Sequence, residues 1–394
     1  MKRFLISAHA VFAFVGIATT IIGPLLPLLA HRWLLSDRQS GLLFVVQFVS
    51  GFTGAILSTR LARTFSLHII ARGGMLFTAL GFFGLSTPSF ALGIAGIAVY
   101  GFGIGLATPS ISAAVAEAVP EKSAALLNLL NFAWAVGAIT APNLVLWALR
   151  HSAFQVRGML AGFAVVLCGT AFLIPRIAVT SLPEETSTAK LPRNTLGLII
   201  ACGILIFIYV GIENGVGGWL PTFATRVHNF SIESRALLQD TFWVTFLLAR
   251  FVAPAFLEYI SERLLLTLSI GVAAVGTVAM ILVSVPWALF VSVGIVGIGC
   301  AAIFPTAIAI LLHRLHGQSG SKLGFMYAAA GLGGAALPFC IGTLSAATQN
   351  LRIGMSLLVL AELLLLAAHF FMSQVAARPD ESEIASQKIA AARA

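Results

Sequence analysis

The sequence predicts an all-α membrane protein of twelve transmembrane helices arranged as two pseudo-symmetric six-helix halves. Three observations predict it. The chain is 59% hydrophobic and only 9% charged, with a mean hydropathy of +1.00, whereas a soluble domain carries about 25% charged residues. No soluble core needs that much apolar surface. Apolar segments of about 20 residues, the length a helix needs to cross the hydrocarbon, recur twelve times. The second half of the chain also echoes the first. Ile22–Pro27 (IGPLLP) aligns with Val216–Pro221 (VGGWLP) at an offset of 194, and Gly103–Pro109 (GIGLATP) aligns with Gly299–Pro305 (GCAAIFP) at 196. Gly137–Pro142 (GAITAP) aligns with Gly333–Pro338 (GGAALP), again at 196.

The N-terminus, MKRFLISAHAVFAF, has the basic start and apolar run of a signal peptide. Its apolar stretch continues to Ala30, too long for a signal core, so it is an uncleaved first span. Spans then follow at 4–30, 40–59, 67–87, 91–116, 124–149, 156–177, 195–224, 235–258, 264–285, 287–312, 323–348 and 353–374. The polar stretch 178–194, with Pro183, Glu184, Glu185, Lys190 and Arg193, does not span. Four segments result: an N-terminal bundle at 1–177, a cytoplasmic linker at 178–194, a C-terminal bundle at 195–374, and a disordered cytoplasmic tail at 375–394.

The net charge of +9 does not point to nucleic acid, because the basic residues are scattered through short loops. With the N-terminus inside, cytoplasmic segments hold 15 of the 23 Lys and Arg and outer loops hold seven; Arg250 lies within a span. That bias places both termini in the cytoplasm of a plasma membrane, a bacterial inner membrane. Cys168, Cys202, Cys300 and Cys340 all fall in apolar segments without a CxxC spacing. They are small packing residues rather than disulfides or metal ligands.

The stretch Tyr209–Pro221, YVGIENGVGGWLP, carries the strongest functional signal. It places Glu213 and Asn214 at membrane depth, where an ionisable group costs roughly 2.5–3.5 kcal/mol even on lenient scales and marks a functional site by default. Three glycines and Pro221 follow and predict a weak point in that helix. The fifth span carries Asn128, Asn131 and Trp134 at i, i+3 and i+6, on one face. Amides serve hydroxyl groups as donor and acceptor, and the ring adds an apolar platform, a stripe that suits a sugar; interhelical hydrogen bonding is the alternative use of those amides. Gln47, Gln239, Trp243 and Tyr327 supply further polar and aromatic groups. Arg250 is a gate or structural charge. Helices 7 and 8 run in opposite directions, so Arg250 lies roughly 10 Å deeper than Glu213 along the normal and nearer Glu117, Glu258 and Glu262. Glu362, with His369 seven residues on, is expected to be structural or to snorkel, and His9, His313 and His316 to be structural. Ser50-xxx-Gly54-xxx-Ser58 and Gly101-xxx-Gly105 are helix-packing devices. GFGIG at 101–105 lies inside a span with no strand before it and is not a nucleotide loop.

Over its whole length the chain resembles the major facilitator superfamily. Within it, YVGIENGVGGWLP, NLLNFAWAVGAITAP (128–142), FWVTFLLAR (242–250) and IFPTAIA (303–309) resemble the fucose/glucose/galactose permease branch. The resemblance implies parallel halves with a solute site between them at the midplane. Two departures stand out. GAILSTRLAR (54–63) has Ser58 where the family loop carries an acid, and the first span has Thr19 and Thr20 where proton-coupled sugar members often carry one. Attention for ion coupling therefore moves to Glu213.

The expected function is secondary transport of a small polar solute, a monosaccharide first, by alternating access and with proton or sodium coupling. The solute site comprises Gln47, Asn128, Asn131, Trp134, Glu213, Asn214, Trp243 and Tyr327. Efflux of amphipathic compounds, suggested by GAITAP, and sensing without flux are the alternatives. No catalytic constellation is visible. No cofactor, metal or nucleic-acid partner is expected, and the working unit is a monomer in the lipid bilayer.

Overall fold

The structure, a computed structural model, describes residues 2–119, 123–151, 153–174, 193–315 and 320–377. The linker up to residue 192, His316 and the tail beyond 377 lie outside the described residues. Every element is helical. In order they are α1 (Lys2–Thr20), α2 (Ile22–Arg32), α3 (Asp37–Leu61), α4 (Leu67–Ser86), α5 (Phe90–Ala118), α6 (Ser123–His151) and α7 (Ala153–Leu173). The second part of the chain forms α8 (Arg193–His228), α9 (Ile232–Phe256), α10 (Glu262–Leu282), α11 (Pro286–Ala301), α12 (Ile303–Leu315), α13 (Gly320–Thr348), α14 (Leu351–Met355) and α15 (Leu357–Ala377). Among the described residues twelve segments are long and apolar enough to cross a membrane. Three of them, α1–α2, α11–α12 and α14–α15, are broken by one residue, at Ile21, Ala302 and Ser356.

Helix starts follow from capping chemistry. Ser36 caps α3 in a reciprocal box with Gln39, and Ser89, Ser231 and Ser261 accept from backbone N–H groups at the starts of α5, α9 and α10. Each hydroxyl satisfies a donor that the helix cannot. The small-residue stripes bring α3 and α5 into backbone contact: a Cβ added to Gly105 would lie 1.9 Å from the carbonyl oxygen of Gly51. The GFGIG stretch is thus a packing surface.

The weak point expected at YVGIENGVGGWLP does not form. The helix α8 runs unbroken through it. Pro221 has no N–H, so the carbonyl of Gly217 loses its helical donor. The side-chain Nε2 of Gln239, on α9, donates to that oxygen at 2.9 Å. The same solution recurs in α12. Pro305 orphans the carbonyl of Ala301, and Arg250 Nε donates to it at 3.1 Å. Its guanidinium also lies over the Phe246 ring, 4.3 Å from the centroid. Arg250 is therefore engaged by a broken helix and a ring rather than by the acids at the helix ends.

Among the described residues three helix pairs carry most of the packing between the two parts of the chain: α3 with α13, α2 with α8, and α6 with α9. Their contacts concentrate at the end of the bundle opposite the N-terminus, termed here the distal end. There Asp37 Oδ1 accepts from Arg226 Nη1 at 2.5 Å, and Ser345 Oγ donates to Asp37 Oδ2 at 2.6 Å. Arg150 pairs with Glu233 at 3.2 Å, and Asn143 Nδ2 donates to both oxygens of Asp240 at 3.0 and 2.9 Å. A Cβ on Gly23 would meet the carbonyl of Gly217 at 2.4 Å. Toward the N-terminal end no comparable packing joins α1 to α8, or α5 to α12, among the described residues. The bundle is closed distally.

Candidate functional site

Glu213 lies on α8 near the middle of the bundle. It is surrounded by protein yet only half-buried by accessible surface. It faces protein, with Tyr209 one turn away and Arg250 within electrostatic reach, rather than lipid. Tyr209, one turn earlier and fully buried, donates its hydroxyl to Glu213 Oε2 at 2.6 Å. Phe304 packs between Tyr209 and Tyr327, with centroids 6.4 and 6.2 Å away. Tyr327, on α13, is 51% exposed. Arg250 is within electrostatic reach of Glu213 but forms no ion pair with it among the described residues, as the depth difference predicts.

On the other wall Trp134 of α6 meets Trp243 of α9 edge to face, centroids 5.6 Å apart. Trp243 also abuts Gly217, where a Cβ would come 3.1 Å from its ring. Gly217 is one turn from Glu213, so the acid and the tryptophan pair belong to one neighbourhood. Among the described residues the buried indole N–H of Trp243 has no partner, and neither does Gln239 Oε1. Native structures leave few buried polar atoms unpaired, and a polar ligand is one way to satisfy them.

The remaining predicted residues divide. Asn131 and Asn128 lie one and two turns from Trp134, both exposed and without a hydrogen bond among the described residues. Asn214 donates to Val210 O in its own helix at 2.9 Å and stays half-buried. Gln47 is placed elsewhere: it is 3% exposed and its amide donates to the carbonyl of Thr19 at 2.8 Å, so it braces the α1–α2 junction. Glu362 and His369 do not snorkel. They are 1% and 2% exposed and face α10, where Thr277 and Thr267 meet them. Sequence reasoning missed Tyr209, Asp240 and the Asp37–Arg226 pair. Tyr209 had a signal, its i, i+4 spacing to Glu213. Asp240, next to Gln239 inside a span, had one too. The Asp37–Arg226 contact, between residues 189 apart, had none.

Fold and site define a twelve-span helical membrane protein with a polar, aromatic-lined centre. The chain belongs to the Major Facilitator Superfamily, whose model matches residues 9–338. It is 22% identical over 384 residues to a mouse protein named sodium-dependent glucose transporter 1A, covering 88% of this chain and 90% of that one. It is 25% identical over 371 residues to a Brucella abortus glucose/galactose transporter, covering 86% and 87%. The crystal structure of a D-xylose-proton symporter superposes with a TM-score of 0.77 at 16% identity, over 92% of this chain and 97% of that one.

Proposed function

We propose that this protein is a secondary active transporter of a monosaccharide, working by alternating access between halves at 1–177 and 195–374. The observation that carries the reading is Glu213: a half-buried carboxyl at membrane depth, hydrogen-bonded to Tyr209 and one turn from the glycine that Trp243 abuts. The names of the mouse and Brucella relatives support a hexose as the solute. Sugar rings present apolar C–H faces that stack on indole, here the half-buried Trp134, with Trp243, buried at 3% exposed, packed behind it. Their hydroxyls need paired donors and acceptors, which Asn128, Asn131, Asn214, Glu213 and Tyr327 offer. With both termini cytoplasmic, as the charge bias implies, the distal end is external, and the closed distal contacts correspond to an inward-facing state.

Coupling is assigned to Glu213, the acid in this centre, with Tyr209 as its hydrogen-bond partner. Loading and unloading one positive charge on it would harness the membrane potential, about 2.3 kcal/mol per 100 mV. At 1.4 kcal/mol per decade that supports roughly 50-fold accumulation. The test is uptake of labelled glucose and galactose into proteoliposomes under imposed proton or sodium gradients. Gradient-driven hexose accumulation is the expected result, and the ion that drives it identifies the coupling. Glu213→Gln is expected to abolish accumulation and spare counterflow exchange. Absence of hexose flux, with export of amphipathic cations instead, would replace this reading by efflux. Accumulation undiminished in Glu213→Gln would remove the coupling role.

A further inference from the structure

Glu362 stands apart from the central site. It projects from α15 into the helix bundle with 1% of its surface exposed. Its Oε1 receives one long hydrogen bond, from Thr277 Oγ1 of α10 at 3.4 Å, and its buried Oε2 has no partner among the described residues. The charged and titratable groups around it are these. The α11 helix presents Cys300, fully buried and under the electrostatic influence of both Glu362 and Glu213. On α8 the titratable groups are Glu213 and its hydrogen-bond partner Tyr209. Arg263 of α10 acts on His369, seven residues along α15, whose Nε2 is 2.8 Å from Thr267 Oγ1. Arg352 of α14 is committed to the carbonyl of Ile281. No cation pairs with Glu362 among the described residues.

A bare carboxylate sealed in this way costs several kcal/mol, so something neutralises it. A hard metal cation gathers six or more oxygen ligands. Here one carboxyl and one hydroxyl are at hand, with a thiol nearby, and a proton needs no such shell. We propose that Glu362, with Thr277 beside it, is a second proton-binding site, enclosed where α15 packs against α8 and α10 and untouched by the solute. Binding joins one proton to the carboxylate and gives a neutral carboxylic acid; release returns that proton to water and leaves the carboxylate. The chain then carries two distinct carboxyls at membrane depth, Glu213 in the proposed solute site and Glu362 outside it.

Infrared spectra of the purified protein in lipid test this without any transport measurement, so the outcome does not depend on hexose being the solute. At neutral pH the wild type is expected to show a protonated-carboxyl C=O band that Glu362→Gln removes, that Glu213→Gln keeps, and that added glucose does not shift. Thr277→Val, which retains the acid but withdraws its hydroxyl partner, is expected to move the same band. It serves as the second probe should Glu362→Gln not fold. A band that survives intact in Glu362→Gln, that is indifferent to Thr277→Val, or that moves on addition of glucose in the Glu213→Gln background would overturn the proposal.

Discussion

The distal contact between Asp37 and Arg226 makes the sharpest test of alternating access. Asp37 sits in the first turn of α3 and Arg226 in the last turn of α8, so the pair ties the two halves of the chain. Asp37 is well enclosed, with 12% of its side chain exposed, but Arg226 is 44% exposed. Water therefore screens the pair, and its contribution is about 0.5–1 kcal/mol. The Ser345 hydroxyl adds one hydrogen bond, about 1 kcal/mol more. Asp37→Asn keeps the shape and lets Ser345 still donate to the amide oxygen, so it loses chiefly the ion pair. Asp37→Ala loses both interactions. A coupling change of about 1 kcal/mol shifts a two-state equilibrium about fivefold, and about 2 kcal/mol shifts it roughly 30-fold. The assay is the distance distribution between spin labels at Arg38 and Ala347, both exposed at the distal end on opposite halves. Cys340, the one exposed native cysteine among the described residues, is first replaced by Ser. The longer, distally open distance is expected to grow about fivefold in Asp37→Asn and more in Asp37→Ala. High salt should narrow the gap between wild type and Asp37→Asn, because it screens the exposed partner. A distribution in Asp37→Ala within twofold of wild type would refute the assignment of this contact as the distal latch.

Gln239→Leu strands the Gly217 carbonyl that Pro221 leaves without a donor, a loss of about 1–3 kcal/mol. Thermal unfolding in detergent should show a lowered Tm, and Gln239→Glu, which cannot donate either, should resemble it. Gly105→Val places side-chain carbon where Gly51 O already lies and forces α3 from α5, an overpacking penalty of about 1–3 kcal/mol or more; yield of monodisperse protein is the readout. Trp134→Ala removes the edge-to-face partner of Trp243, about 0.5–1.5 kcal/mol beyond burial. Calorimetry should then find hexose binding weakened by up to about tenfold, with Trp134→Phe recovering most of it.

The candidate site was legible where one segment carried the signal. Glu213 and its glycines announce themselves within thirteen residues, and the Asn131–Trp134 spacing places both groups on one helical turn. What a side chain would meet was not legible. Gln47 and Gln239 look alike in sequence, a lone amide in an apolar span, yet both are engaged by a helix carbonyl near a proline. Arg250 looks like a partner for an acid and is instead the donor for Ala301. For Gln239 and Arg250 the proline that creates the need and the side chain that answers it are on different helices, many residues apart.

By itself the sequence determined that the chain lives in a membrane, crosses it twelve times and repeats an architecture. The hydrophobic effect acts on every residue locally and leaves its mark in composition and period. The tertiary structure alone decided that Tyr209 holds Glu213, that Trp134 meets Trp243, that Glu362 faces inward, and that the bundle is closed at the end where Asp37 meets Arg226. Those outcomes depend on the rotation and axial register of one helix against another. Close approach of small residues such as Gly51 and Gly105 sets that register, and no periodicity within a single helix encodes which partner it will find.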